Sequence, residues 1–412
     1  MKFSKSSQLF LVSSIGLLVA TLLTACSITT IDIAFVASAA GWQSGTDGKI
    51  QTYAADSQSG ALRPVASAVS TGGVRPVAMA TTSDYANLYV ANAGSNSITH
   101  FTIGLNGNLT AKGSVTLNDA PVGLAVDTAG TYLYVVSGTT SATLTEYSLS
   151  AGTIGSAATA TIPLTLSSYP GDTMIPTGVF ALANNNIVQG TGVYVSAYDQ
   201  SAYNPGAPSG TVFSPAHPGW VFGFTAGSGG TLTAATGSPY QAGIQPSALV
   251  ADPTNRFLYV TDYASAQLIG YTIMTGNTLS FLTNGPFKAG NEPNAIVIDP
   301  RGKFMYVTNA LDNTVSGYDI NLTTGTPTVA LGASGSQLNQ TDSLPVAIAI
   351  DPALGRFLYT ANYLGGTISG FRMDPTAGSL SNLQASPYPT DQEPTAIIVI
   401  PHGNHASQTV MP

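Results

Sequence analysis

The sequence predicts an all-β fold, a seven-bladed β-propeller of four-stranded antiparallel blades. Two recurring strand motifs and a strand count that closes only if the two chain ends share a blade point to it. A proline opens the first strand of the unit, strand a, in seven places: Pro76, Pro121, Pro176, Pro246, Pro293, Pro345 and Pro394. Runs such as EPNAIVIDP (292–300) and EPTAIIVIP (393–401) are almost continuous in Ala, Ile and Val, as expected of strands buried on both faces. Strand b follows as IAFVAS, NLYVAN, YLYVVS, GVYVSA, FLYVTD, FMYVTN and FLYTAN, with an aromatic column at Phe35, Tyr89, Tyr134, Tyr194, Tyr259, Tyr306 and Tyr359. Strand c carries a second aromatic column: Tyr53, Phe101, Tyr147, Phe224, Tyr271, Tyr318 and Phe371. Strand d opens on a turn, as in SGALRPVAS (59–67) and AGSLSNLQA (377–385), and Pro327 in blade six suits an outer edge that need not donate every ladder bond.

The chain meets b, c and d first and a lone a strand last. Ring closure follows: the C-terminal a strand joins the N-terminal b, c and d strands and removes the open edges that would invite aggregation. An open solenoid would need polar caps, and neither end offers one. The expected organisation is a leader at 1–25, a tether at 26–30, the propeller at 31–401 and a tail at 402–412 whose removal should be nearly silent.

The strand motif LYVAN/LYVTD/MYVTN, with D-P-x-x-(R/K)-F before it in blades five and six, resembles the YVTN-repeat, lactonase-like seven-bladed propellers. Their relatives include 6-phosphogluconolactonase-type and carboxymuconate-lactonizing enzymes, and the resemblance covers about 31–401. It implies a site built of His, Arg and Glu side chains at the channel mouth. By register only Arg75, Glu292 and Glu393 stand there in this chain, and no catalytic residue is carried over from the family.

Charged residues are 8% of the chain and the net charge is −8. No basic stripe is available to neutralise phosphates, so a nucleic-acid partner is not expected. Lys2 and Lys5 precede an apolar run, Leu9 to Leu23, that ends in Leu23-Thr24-Ala25-Cys26. This pattern resembles a bacterial lipobox, so the expected product is a lipoprotein acylated at Cys26 and held at the membrane of the cell envelope, facing the periplasm or exterior. In a double-membrane organism, Ser27 after the cysteine is compatible with the outer membrane. Cleavage at Ala37-Ser38-Ala39 is the alternative, but it would remove strand b of blade one.

Chemistry is expected where loops converge. The a–b turns, such as Asp252-Pro253-Thr254-Asn255, are short hairpin turns on one face, the turn face. The b–c and d–a connections share the opposite loop face, where function is expected. There the residues before each proline (Arg75, Gln245, Glu292 and Glu393 among them) and those ending each b strand (Asn92, Asp262, Asn309, Asn362) form a polar ring. Loop capping and a small-molecule or cation site are both open readings of it. Arg75 is expected to pair with Glu393 of the neighbouring blade, leaving Glu292 and Asp262 as unneutralised carboxylates. Blade four carries an enlarged flap with Tyr198, Tyr203, His217 and Trp220.

No metal motif or nucleophile elbow occurs. No cofactor is evident, and a divalent cation such as calcium is the one that Glu292, Asp262, Asn309 and Asn362 would accept. Two functions therefore stand side by side. One is a membrane-anchored scaffold binding a protein, glycan or small ligand through its loop face. The other is a lactonase-like hydrolase or isomerase with its site at the channel mouth.

Overall fold

The computed structural model describes residues 29–139, 141–182, 191–200, 218–227, 229–329, 338–408 and 410. They form seven antiparallel sheets in a ring and no α-helix. Strand a of each blade packs against strand a of the next, and the circle closes between Pro394–Pro401 and Pro76–Thr81. Closure is as the strand count predicts. In blade one, strand b (Thr30–Ser38) pairs with Asp47–Asp56 on one side and with the C-terminal Pro394–Pro401 on the other. Cleavage at Ala39 would delete this strand, which is buried over eight of its nine residues.

The core lies between blades. One cluster joins Ala34, Val36 and Tyr53 of blade one to Tyr359, Ala361 and Ile368 of blade seven. The b-strand tyrosines also stitch neighbours together. Tyr89, Tyr259, Tyr306 and Tyr359 donate to the carbonyls of Gly152, Gly325, Gly378 and Gly60 in the next blade's c–d turn, at 2.6–2.8 Å. Apolar burial thus supplies most of the attraction, and a buried hydroxyl fixes the relative position of each pair. On the turn face one aspartate organises each regular a–b hairpin. Asp127, Asp252, Asp299 and Asp351 accept from two or more backbone N–H groups of their own turns.

The outer edge is less regular than the inner strands, and the tail departs from expectation. A continuous d strand occurs only in blade two (Leu109–Thr116); in the other six the outer edge is two short pieces that both pair with strand c. In blades four, five and seven the break contains a proline, Pro239, Pro286 or Pro387, which cannot donate to the ladder. The tail is not a loose end. His402 N–H bonds Ile31 O at 2.8 Å, Gly403–Ser407 form a 3-10 turn, and the His405 side chain is buried against Asp32 and Asp351.

Candidate active site at the loop-face mouth

Every a strand begins with the same irregularity. Pro76 pairs with Asn92 but Ala78 with Ala91, so Val77 is an extra residue, a β-bulge, and the same slip recurs in all seven blades. The bulged residues, Val77, Val122, Thr177, Ser247, Asn294, Val346 and Thr395, are all half-buried. Bulges of this kind bend the strand and re-aim side chains, and they concentrate next to active sites.

Just outside this ring stand the residues before the prolines. Arg75, Glu292, Leu344 and Glu393 adopt left-handed backbone, with φ of 56°, 54°, 58° and 57°. This conformation is unfavourable for any side chain other than glycine, and proline further restricts the residue before it. The strain is held by a repeated contact: the carbonyls of Arg75, Gln245, Glu292, Leu344 and Glu393 each accept the N–H of the residue that follows strand b, at 2.8–2.9 Å.

The residues ending the b strands serve the loop backbone. Asp262 is fully buried and accepts from Ile244 N–H, Gln245 N–H and the Gln267 amide at 2.9–3.1 Å. Asn309 accepts from Gly290 N–H and donates to Thr314 and Ser316; Asn362 donates to Thr367 and Ser369; Asn92 donates to Thr71 O and Thr99. Their close fit explains the glycines two residues before Arg75, Gln245 and Glu292. A Cβ at Gly73, Gly243 or Gly290 would lie 2.1–2.8 Å from Asn92, Asp262 or Asn309. The oxygens of Asp262 and Asn309 thus cap loop N–H groups, and that of Asn362 accepts from the Thr360 hydroxyl.

Arg75 also departs from expectation. No ion pair joins it to Glu393; its guanidinium lies 4.8 Å from the ring centroid of Trp42, in the b–c connection of blade one. The same connection is anchored to Glu393 through Ala39 N–H. One corner of the mouth therefore combines an aromatic plane, an exposed cation and a half-buried carboxylate whose Oε2 is shielded from solvent without a hydrogen-bond partner. Lys49 sits nearby, 3.9 Å from Asp391. Across the mouth, Gln245 Oε1 is likewise buried without a partner. Trp42 carried a signal that sequence reasoning passed over, as one of two tryptophans and lying on the functional face.

Of the flap residues, Tyr198 lies in strand b of blade four opposite Ile175, and Trp220 opens strand c and packs into the blade three–four core. Leu164 and Leu166, in the d–a connection that leads into blade four, are buried in the same core. Tyr203, His217 and Cys26, with the whole leader, lie outside the described residues. At the other end of the channel, about 640 Å³ of apolar cavity is lined by Val297, Ile348, Ile398 and their neighbours, with Val410 of the tail beside it.

Comparison with known proteins agrees with this architecture. The chain is similar to the periplasmic gluconolactonase PpgL of Pseudomonas aeruginosa, with 18% identity and a TM-score of 0.69 over 90% of this chain and 99% of that one. It is similar too to a proposed 6-phosphogluconolactonase from Bacteroides uniformis, with 17% identity and a TM-score of 0.70 over 90% and 100%. At these identities the likeness is one of fold. A search of curated protein sequences returns no match. The profile described as "Lactonase, 7-bladed beta-propeller" matches residues 44–161 and 229–332, more than half of the sequence. The chain belongs to the lactonase family of seven-bladed β-propellers.

Proposed function

We propose that the protein is a lactonase-like hydrolase that opens a ring ester at the loop-face mouth. The carrying observation is the corner formed by Trp42, Arg75 and Glu393. Family membership supports a hydrolase over the binding-scaffold reading.

In this reading a water molecule adds to the lactone carbonyl carbon while Glu393 takes its proton. The carbonyl oxygen becomes an oxyanion beside the Arg75 guanidinium. Collapse of this intermediate breaks the ring C–O bond, and Glu393 returns the proton to the departing alkoxide, giving a hydroxy acid. The Oε2 of Glu393 has no hydrogen-bond partner within the protein, and in this reading substrate docking opens it to the water whose proton it takes. Trp42 offers a flat face for a sugar ring, and Arg75 retains the carboxylate of the product. Lys49 is paired with Asp391, which leaves Arg75 as the one unpaired cation at this corner among the described residues. An unphosphorylated aldonolactone therefore fits better than a phosphorylated one, which would require a second cation for its phosphate.

The test is hydrolysis of glucono-1,5-lactone and of its 6-phosphate, followed as acid release against the uncatalysed rate. Wild type should prefer the unphosphorylated lactone, and Glu393→Gln should lower kcat by about 10²–10⁴ without lowering the melting temperature. A wild-type rate equal to the uncatalysed rate on both lactones refutes the proposal.

A further inference from the structure

We propose that Asp32, Asp351 and His405 form a site for a divalent transition metal of the zinc class, which locks the two chain ends into the ring. The three residues come from the start of strand b in blade one, the a–b turn of blade seven and the C-terminal 3-10 turn. They meet on the turn face, at the opposite end of the channel from the Arg75–Glu393 corner. One ligand atom from each lies within 4.8 Å of the other two, and all three side chains are buried.

The chemistry of the donors argues for a cation at their centre. His405 Nδ1–H donates to Gln408 Oε1 at 2.7 Å, which turns the Nε2 lone pair toward two carboxylate oxygens, Asp351 Oδ1 at 3.1 Å and Asp32 Oδ1 at 3.5 Å. Such an outer hydrogen bond is the usual device that fixes a metal-binding histidine. Asp351 is held rigidly as a carboxylate: Oδ1 accepts from Ala353 and Leu354 N–H, and Oδ2 from Arg356 N–H. Asp32 supplies the independent observation. Its side chain is completely buried, and neither oxygen has a hydrogen-bond partner.

The separations of 3.1 and 3.5 Å fit donors at about 2.0–2.2 Å from one tetrahedral ion, which sit roughly 3.4 Å apart. An imidazole nitrogen with two carboxylates suits zinc-class ions, whereas calcium would demand six or more oxygens. A cavity of about 590 Å³ lined by Thr29, Arg356, His402, His405 and Gln408 gives access from solvent and room for a water as fourth ligand.

The experiment is titration of chelator-stripped full-length protein with Zn²⁺, reading stoichiometry by calorimetry and stability by thermal melting. One equivalent should bind and raise Tm by on the order of 5 °C. Asp32→Asn and His405→Ala should abolish both effects, and His402→Ala should keep them. Should Asp32→Asn fail to fold, the wild-type stoichiometry and His405→Ala decide. Absence of stoichiometric binding by wild type overturns the proposal. Binding that survives His405→Ala, or an equal response to Ca²⁺, overturns it as well.

Discussion

Blades four to seven and blades two and three differ at one cross-strand position, the residue of strand c opposite the buried tyrosine of strand b. In the later blades it is Gly223, Gly270, Gly317 or Gly370, and at Gly270 and Gly370 the side-chain space is taken by Leu282 and Leu383. In blade two it is His100, which stacks on Tyr89 at 5.1 Å and bonds Asn87 Oδ1 at 2.8 Å. In blade three it is Glu146, fully buried, with neither oxygen in a hydrogen bond of acceptable geometry; Tyr134 Oη beside it is unpartnered too. One column thus shows three solutions of unequal quality: a glycine with neighbours packed onto it, a satisfied polar wedge and an unsatisfied one. A propeller tolerates the last because each blade contacts only its two neighbours, so a local penalty does not spread.

The largest effect is expected from moving the blade-three solution into blade five. A Cβ at Gly270 would lie 2.6 Å from Leu282 Cδ1, and no partner awaits a carboxylate there. Gly270→Glu should cost about 3–5 kcal/mol, seen at this chain length as a fall in Tm of about 4–6 °C. A near-normal melting curve would show that the glycine column is not a packing requirement. A smaller contrast lies in the tyrosines. Tyr259→Phe removes a 2.6 Å bond and strands the Gly325 carbonyl, at a cost of about 1–3 kcal/mol. Tyr134→Phe removes no such bond and should stay within about 0.5 kcal/mol of wild type. Equal losses in denaturant titrations would refute the distinction.

The smallest effect depends on pH. Burial, and to a lesser degree the Asp127 charge, raises the Glu146 carboxyl above its usual 4.5, against partial relief from the Tyr134 and Thr159 hydroxyls. A folded-state value above the unfolded one means that the neutral form is favoured by folding. That contribution is complete below about pH 4.5 and is lost as pH rises through the raised value. Glu146→Gln should therefore melt a few degrees above wild type at pH 8 and level with it at pH 4. A constant difference across that range would assign the effect to something other than ionisation.

The same reasoning explains what the sequence disclosed. Blade number, strand order and ring closure were legible because packing repeats: Tyr259, Tyr306 and Tyr359 do the same task in the same place. The mouth was legible as a ring, because prolines mark it. The role of Asp262 was not, since an aspartate at a strand end reads identically as a ligand or a cap and only its three contacts decide. Arg75 was placed beside Glu393 by register, but the aromatic plane of Trp42 gave its guanidinium a nearer partner. Asp32 and His405 belong to no repeat column and meet only through closure, so neither could be singled out from strand counting.

That closure also sets an order of events in the life of the chain. Strand b of blade one is among the first strands synthesised, and its a-strand partner begins about 350 residues later, at Pro394. At about 5–20 residues per second, the apolar edge Ile33–Ala37 stays open for on the order of 20–70 s before its partner exists. The six contiguous blades can pair their strands as they are made, but the circle itself is completed only after translation has finished. Until then the molecule exposes one of its most β-prone edges, and whatever handles the nascent chain must keep that edge from pairing with a second copy.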